Sequence, residues 1–234
     1  MASTSEVTFG ARIANAEALS TNLKAFTGYV APTTETSIAN YDALIASMKS
    51  ENGSVATKKA AYSLAVDVRQ KHFLKEPTSI SKMLSPIVAA VRAKMGKSAK
   101  EVADITSLMT KIRGEKPPKL KEGDTAETVS QSERSYGSMT QNFSDIVTTL
   151  TSLGADYAVV QTNLKLPALL TKVAAITTAN NAVTTTYGSL KTTVDSRANK
   201  YDDLGERTQR IKESVKSQYG VGSTEYKLIK GLKV

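Results

Sequence analysis

The sequence has no cysteine, no tryptophan and a single histidine, His72, and its aromatic content is only 6%. Without cysteine there are no disulfides, thiolate metal ligands or cysteine nucleophiles. One histidine cannot supply the ligand set of a typical zinc site. No stretch approaches the roughly 18 consecutive apolar residues that a membrane-spanning helix needs. The opening residues carry no basic segment followed by an apolar one, so no secretory signal is expected. These absences predict a cytoplasmic protein without a membrane span. A core poor in aromatics must rely on Leu, Ile, Val, Ala and Met, which suits helix packing better than a β-sandwich.

Excess positive charge is present. The net charge is +9 and the pI about 9.5, a balance that attracts nucleic acid or anionic lipid non-specifically. A solvated basic surface accounts for the same charge.

The strongest signal is helical seam periodicity. From Ile38, the positions Tyr41, Ile45, Met48, Asn52, Val55, Lys59, Tyr62, Val66, Arg69 and Phe73 alternate spacings of three and four. A second run passes through Leu169, Val173, Ile176, Asn180, Val183, Tyr187, Leu190, Val194, Arg197, Tyr201 and Leu204. Residues so spaced lie along one stripe of a helix, as in coiled coils and antiparallel bundles. A helix over 38–73 would span roughly 54 Å, so the molecule is expected to be elongated.

The two runs match at an offset of 128 residues: Ile45 with Val173, Met48 with Ile176, Asn52 with Asn180, Arg69 with Arg197, Phe73 with Tyr201. Shared apolar residues are expected of any two heptad runs; shared Asn and Arg are not. Further on, Ile87, Val91, Arg92, Gly96, Glu101 and Ile105 recur 124 residues later as Ile211, Val215, Lys216, Gly220, Glu225 and Ile229. The changed offset places four extra residues near Leu74 to Ser79, read as a loop. Gly96 and Gly220 are expected to close helices in a left-handed cap, and Ser98 with Glu101 to form a capping box.

Each copy opens with its own stripe: Phe9, Ile13, Ala16, Leu19, Leu23, Phe26 and Val30, then Val129, Tyr136, Met139, Phe143, Ile146, Leu150 and Leu153, extendable through Tyr157, Val160 and Leu164. Pro32 and Pro167 separate these helices from their partners. The fold class expected is all-α: tandem duplicated antiparallel long-helix hairpins packed as an elongated helical bundle. Repeat one covers 1–113, a charged Pro/Gly linker 114–128, and repeat two 129–234. Side-by-side packing of the copies is favoured, because an isolated hairpin buries little.

Candidate sites are few. Asn52, Asn180, Arg69 and Arg197 are read as polar seam residues that set register, the arginine stems lying over apolar surface. His72 is expected as a half-exposed imidazole beside Phe73. Asp202, Asp203 and Glu206 lack a Ca²⁺-loop pattern, and the turn at Gly220, Val221 and Gly222 lacks the remainder of a phosphate loop. No catalytic residue, metal site or cofactor is expected. Lys111, Arg113, Lys116, Lys119 and Lys121 crowd one segment and form the candidate polyanion contact, and Lys227, Lys230 and Lys233 decorate the C-terminal segment. No aromatics interleave with them for base stacking, so any nucleic-acid binding would be non-specific backbone contact.

The segment 215–227, with Tyr219, Gly220, Ser223, Glu225 and Tyr226 in a Tyr-Gly-x-x-Ser-x-Glu-Tyr arrangement, resembles the closing segment of uncharacterised bacterial all-helical proteins of similar length. A degraded echo lies at 91–105, where Met95 and Val102 replace the two tyrosines. The resemblance is confined to these segments; it implies a bacterial helical-repeat protein and brings no activity. The expected function is that of a non-enzymatic scaffold or interaction protein, with a protein partner or self-association. The alternative is an electrostatically driven binder of nucleic acid or anionic membrane. A membrane-remodelling role would need an apolar insertion segment, and the best stretch, Leu164 to Ile176, is interrupted by Lys165, Pro167 and Lys172.

Overall fold

A computed structural model describes residues 8–114 and 133–234, and among them the regular structure is helical, with no strand. The elements are α1 (Phe9–Ala25), α2 (Ile38–Gln70), α3 (Ile80–Met95), α4 (Lys100–Arg113), α5 (Tyr136–Leu153), α6 (Leu166–Tyr219) and α7 (Thr224–Ile229). The chain divides into two compact units. Unit 1 comprises residues 1–60 and 188–234, and unit 2 residues 61–187. The divisions fall inside α2 and α6, so each unit draws on both halves of the sequence.

Local chemistry accounts for the helix ends. Thr8, Ser135 and Ser223 are N-caps in extended conformation, their side chains accepting from the amides of Ala11, Ser138 and Tyr226. Such caps satisfy amides that the helix leaves without partners. Gly96 and Gly220 close α3 and α6 at φ of 84° and 92°, a region that costs any residue with a Cβ.

Several boundaries differ from expectation. The capping box at Ser98 and Glu101 does not form: α4 starts one residue later, behind Ala99, with no side-chain cap. Lacking a hydroxyl, Ala99 cannot do what Ser223 does for α7. The first helix ends at Ala25; Phe26, just beyond it, still packs against the core, whereas Val30 is 68% exposed. The stripe of α5 does not continue to Leu164, because Gly154 terminates the helix at φ of 55°. Tyr157 and Leu164 are buried all the same, joined by a bond of 3.0 Å from the Tyr157 hydroxyl to the Leu164 carbonyl. Val129 lies outside the described residues.

The loop expected near Leu74 is part π-turn. Residues Lys71–Lys75 form one turn of π-helix, and the Glu76 amide bonds five residues back to Lys71. π-helix occurs mostly as such single turns. The stretch of α6 that lies 128 residues further on runs on as α-helix to Tyr219.

Each unit has its own core. In unit 1, Ile13, Ala16, Leu19 and Leu23 of α1 meet Tyr41, Ile45 and Met48 of α2, with Tyr201, Leu204, Ile211 and Val215 of α6 and Ile229 of α7. Tyr41 and Thr208 share a buried hydrogen bond of 2.6 Å, and burial pushes the Tyr41 phenol up to about 12. In unit 2, Ile80, Ile87 and Val91 of α3 meet Ile105 and Ile112 of α4, Phe143, Ile146 and Leu150 of α5, and Leu169 and Ile176 of α6. Each such side chain contributes about 1.5–3 kcal/mol when fully removed from water.

Candidate functional site

The four polar seam residues lie in two clusters, one per unit, each pairing an Asn from one half of the sequence with residues from the other. In unit 1 the amide of Asn52 donates to the Tyr201 hydroxyl (2.9 Å), which donates in turn to the Phe9 carbonyl (3.0 Å). The Tyr201 ring packs on Phe9 at 4.6 Å between centroids, and the Arg197 guanidinium sits 4.1 Å from the Phe9 ring. Arg12 adds a second cation, bonded to the Tyr201 carbonyl at 2.9 Å and lying over that tyrosine's ring. Beside them Lys200 and Glu51 form an ion pair of 2.9 Å, and the Lys200 hydrogen bond, followed by that from Ser196, holds the Glu51 carboxyl below its usual range.

Unit 2 has a related arrangement. Arg69 donates to the Asn180 side-chain carbonyl at 3.2 Å and lies 4.0 Å from the Tyr136 ring. Phe73 meets Tyr136 edge-on at 4.9 Å. Because Phe73 stands where Tyr201 stands in the other run, there is no hydroxyl for the asparagine, and the arginine takes it instead. Planar guanidinium over an aromatic face is a favourable pairing in a desolvated setting, and these contacts fasten helices to each other. As chemistry the clusters offer little, since neither contains a nucleophile with an adjacent base.

The basic candidates are spread. Lys111 is paired with Glu133 at 3.1 Å, and Arg113 donates to Ser85. Glu133 also accepts from the buried Asn142 at 2.9 Å, and these two partners, Asn142 first, lower its carboxyl. Lys116, Lys119 and Lys121 lie outside the described residues, in a stretch that also holds Glu115, Glu122, Asp124 and Glu127. Arg92, Lys97 and Lys100, around the α3–α4 turn, form no ion pair with a described residue. Of the C-terminal lysines, Lys230 and Lys233 offer backbone carbonyls to Lys212 and Asn15.

Asp203 is held by both arms of Arg207 at 2.7 and 2.8 Å, and Glu206 lies 3.8 Å from Arg210. The Gly220 turn joins α6 to α7. No group of three potential metal-ligating side chains occurs among the described residues, and no described helix is long and apolar enough to cross a membrane. His72 is half-buried beside the fully buried Phe73, with Lys172 Nζ 3.2 Å from its Nδ1. Neither Lys172 nor Arg12 stands out in the sequence: the first looks like an interruption of an apolar stretch, the second like a surface cation. No protein-family model matches this sequence, and no curated protein or solved structure is significantly similar to it.

Proposed function

We propose that the chain is a non-enzymatic cytoplasmic scaffold, built by tandem duplication of a long-helix hairpin and working through helix faces that bind a protein partner or a second copy. The observation that carries this reading is the use made of the polar seam. Asn52, Asn180, Arg69 and Arg197 are all engaged in fastening helices, through Tyr201, Phe9, Tyr136 and one another. Apolar side chains meanwhile remain outside: Leu64 and Val68, one turn apart on α2, are 64% and 37% exposed. A partner helix would cover such a face through anchors at i and i+4. The test is light scattering across a concentration series, with Leu64→Glu/Val68→Glu as the comparison. Association that the double variant abolishes supports the reading. A monomer at all concentrations, together with no loss of partner binding in the variant, refutes it.

A second reading, an electrostatic binder of nucleic acid or anionic membrane, is favoured by Arg92, Lys97 and Lys100, which form no ion pair with a described residue. It predicts duplex-DNA binding that collapses between low and moderate salt, since each neutralised phosphate releases counterions.

A further inference from the structure

A pocket of about 240 Å³ in unit 2 opens between the π-turn, the start of α3 and the first turns of α6. Its polar lining comes from His72, Thr78, Asn163, Thr171 and Lys172, and its apolar lining from Met83 with two alanines of α6. Lys172 is the only lysine or arginine in this lining. Its ammonium donates to His72 Nδ1 at 3.2 Å, and no carboxylate of a described residue lies within ion-pair distance. Burial lowers the Lys172 pKa, opposed only by the more distant charge of Glu76. Lys24 and Lys200, by contrast, are neutralised at short range, the first by Asp42 at 2.7 Å and the second by Glu51. A partly desolvated cation without a counter-charge, facing a cavity with polar and apolar walls, is complementary to an anion that carries a hydrocarbon part.

We infer that this pocket binds a small organic carboxylate, its headgroup on Lys172 Nζ and its short apolar tail against Met83 and the α6 alanines. Asn163 stands at the pocket wall as a further hydrogen-bond donor, whereas the Thr171 hydroxyl donates to the Pro167 carbonyl at 2.9 Å. The volume of about 240 Å³ equals that of about eight waters, which suits a short-chain monocarboxylate. The inference is independent of the scaffold reading, because the pocket lies away from Leu64 and Val68 in the lining described.

The experiment is an amide-shift NMR titration of the full chain with butyrate, run beside butyramide and inorganic phosphate. Butyrate should give saturable shifts at His72, Asn163 and Lys172, with a dissociation constant of about 1 mM or tighter. Lys172→Met, which keeps the stem and loses the charge, should weaken binding about tenfold or more, and Lys172→Arg should retain most of it. Binding should also raise the Lys172 pKa, read from its ¹³Cε shift. Non-saturating shifts, equal response to butyramide, or butyrate binding unchanged in Lys172→Met would overturn the assignment. So would phosphate binding at these residues where butyrate fails. If Lys172→Met perturbs the fold, His72→Gln with the same ¹³Cε readout on Lys172 decides the matter.

Discussion

The Tyr201 hydroxyl is the most exacting place to perturb the unit 1 seam. Tyr201 is 1% exposed, and its oxygen accepts from Asn52 and donates to the Phe9 carbonyl. Tyr201→Phe keeps the ring, and with it the packing on Phe9 and the cation above it, so the change isolates the hydroxyl. Two part-buried hydrogen bonds are lost at a net cost of about 1 kcal/mol each. The Asn52 side-chain carbonyl already has no partner among the described residues, so the substitution leaves that amide with neither end satisfied. Together these put the destabilisation at about 2–3 kcal/mol. Asn52→Leu removes the amide altogether and leaves the bond to Phe9 intact, so it should cost about 1 kcal/mol or less. The double variant should then be more stable than the sum of the singles by about 1 kcal/mol. Urea denaturation followed by far-UV circular dichroism measures all three, with an unchanged m-value required for the comparison. A Tyr201→Phe protein within about 0.5 kcal/mol of wild type, or strict additivity in the double variant, would show that the cluster is not a dry, coupled network.

Two further outcomes follow from backbone and titration chemistry. Gly96→Ala and Gly220→Ala should each lower stability by about 1–2 kcal/mol, since a Cβ is disfavoured at positive φ. Gly53→Ala, inside α2 with nothing within 4 Å of the added carbon, should raise it by about 0.5–1 kcal/mol; thermal melts with the opposite ordering would contradict the assigned helix ends. Burial raises Tyr41 and Tyr157 to about 12, so folding favours their neutral forms. That contribution is complete below the ordinary phenol value of about 10 and is lost as pH climbs from there through 12. Ultraviolet titration should therefore show Tyr41 and Tyr157 among the last tyrosines to ionise, together with the onset of alkaline unfolding; all nine ionising together in the folded protein would refute their burial.

Much of the fold could be read from residue spacing, because a helix that buries one stripe must repeat its apolar positions every three or four residues. Tyr41, Ile45 and Met48 are buried on that pattern, as are Leu169 and Ile176. Spacing says which face of a helix is covered but nothing about what covers it. Asn180 meets Arg69, and Asn52 meets Tyr201; these pairs are far apart in sequence, and no periodicity names them. The N-caps show the same limit on a smaller scale. Ser98 and Glu101 have the right types at the right spacing, yet a one-residue shift in where α4 begins puts Ala99 at the cap.

Charge was legible only as a total. Lys111 looks like part of a basic patch until Glu133, itself held by Asn142, is seen paired with it. Lys172 illustrates the reverse. In the sequence it merely interrupts an apolar stretch, where any lysine would argue against membrane insertion. In the fold that position is the wall of a pocket whose other polar groups come from the π-turn, the turn before α3, the segment before α6 and α6 itself. A cation becomes a candidate site when its neighbours fail to neutralise it, and that failure is a property of the assembled helices. The polar residues that advertised themselves through repetition, Asn52 and Arg69 among them, are spent on holding helices together. Lys172, whose charge the fold leaves open to a cavity, did not repeat at all: the position 128 residues earlier is Leu44.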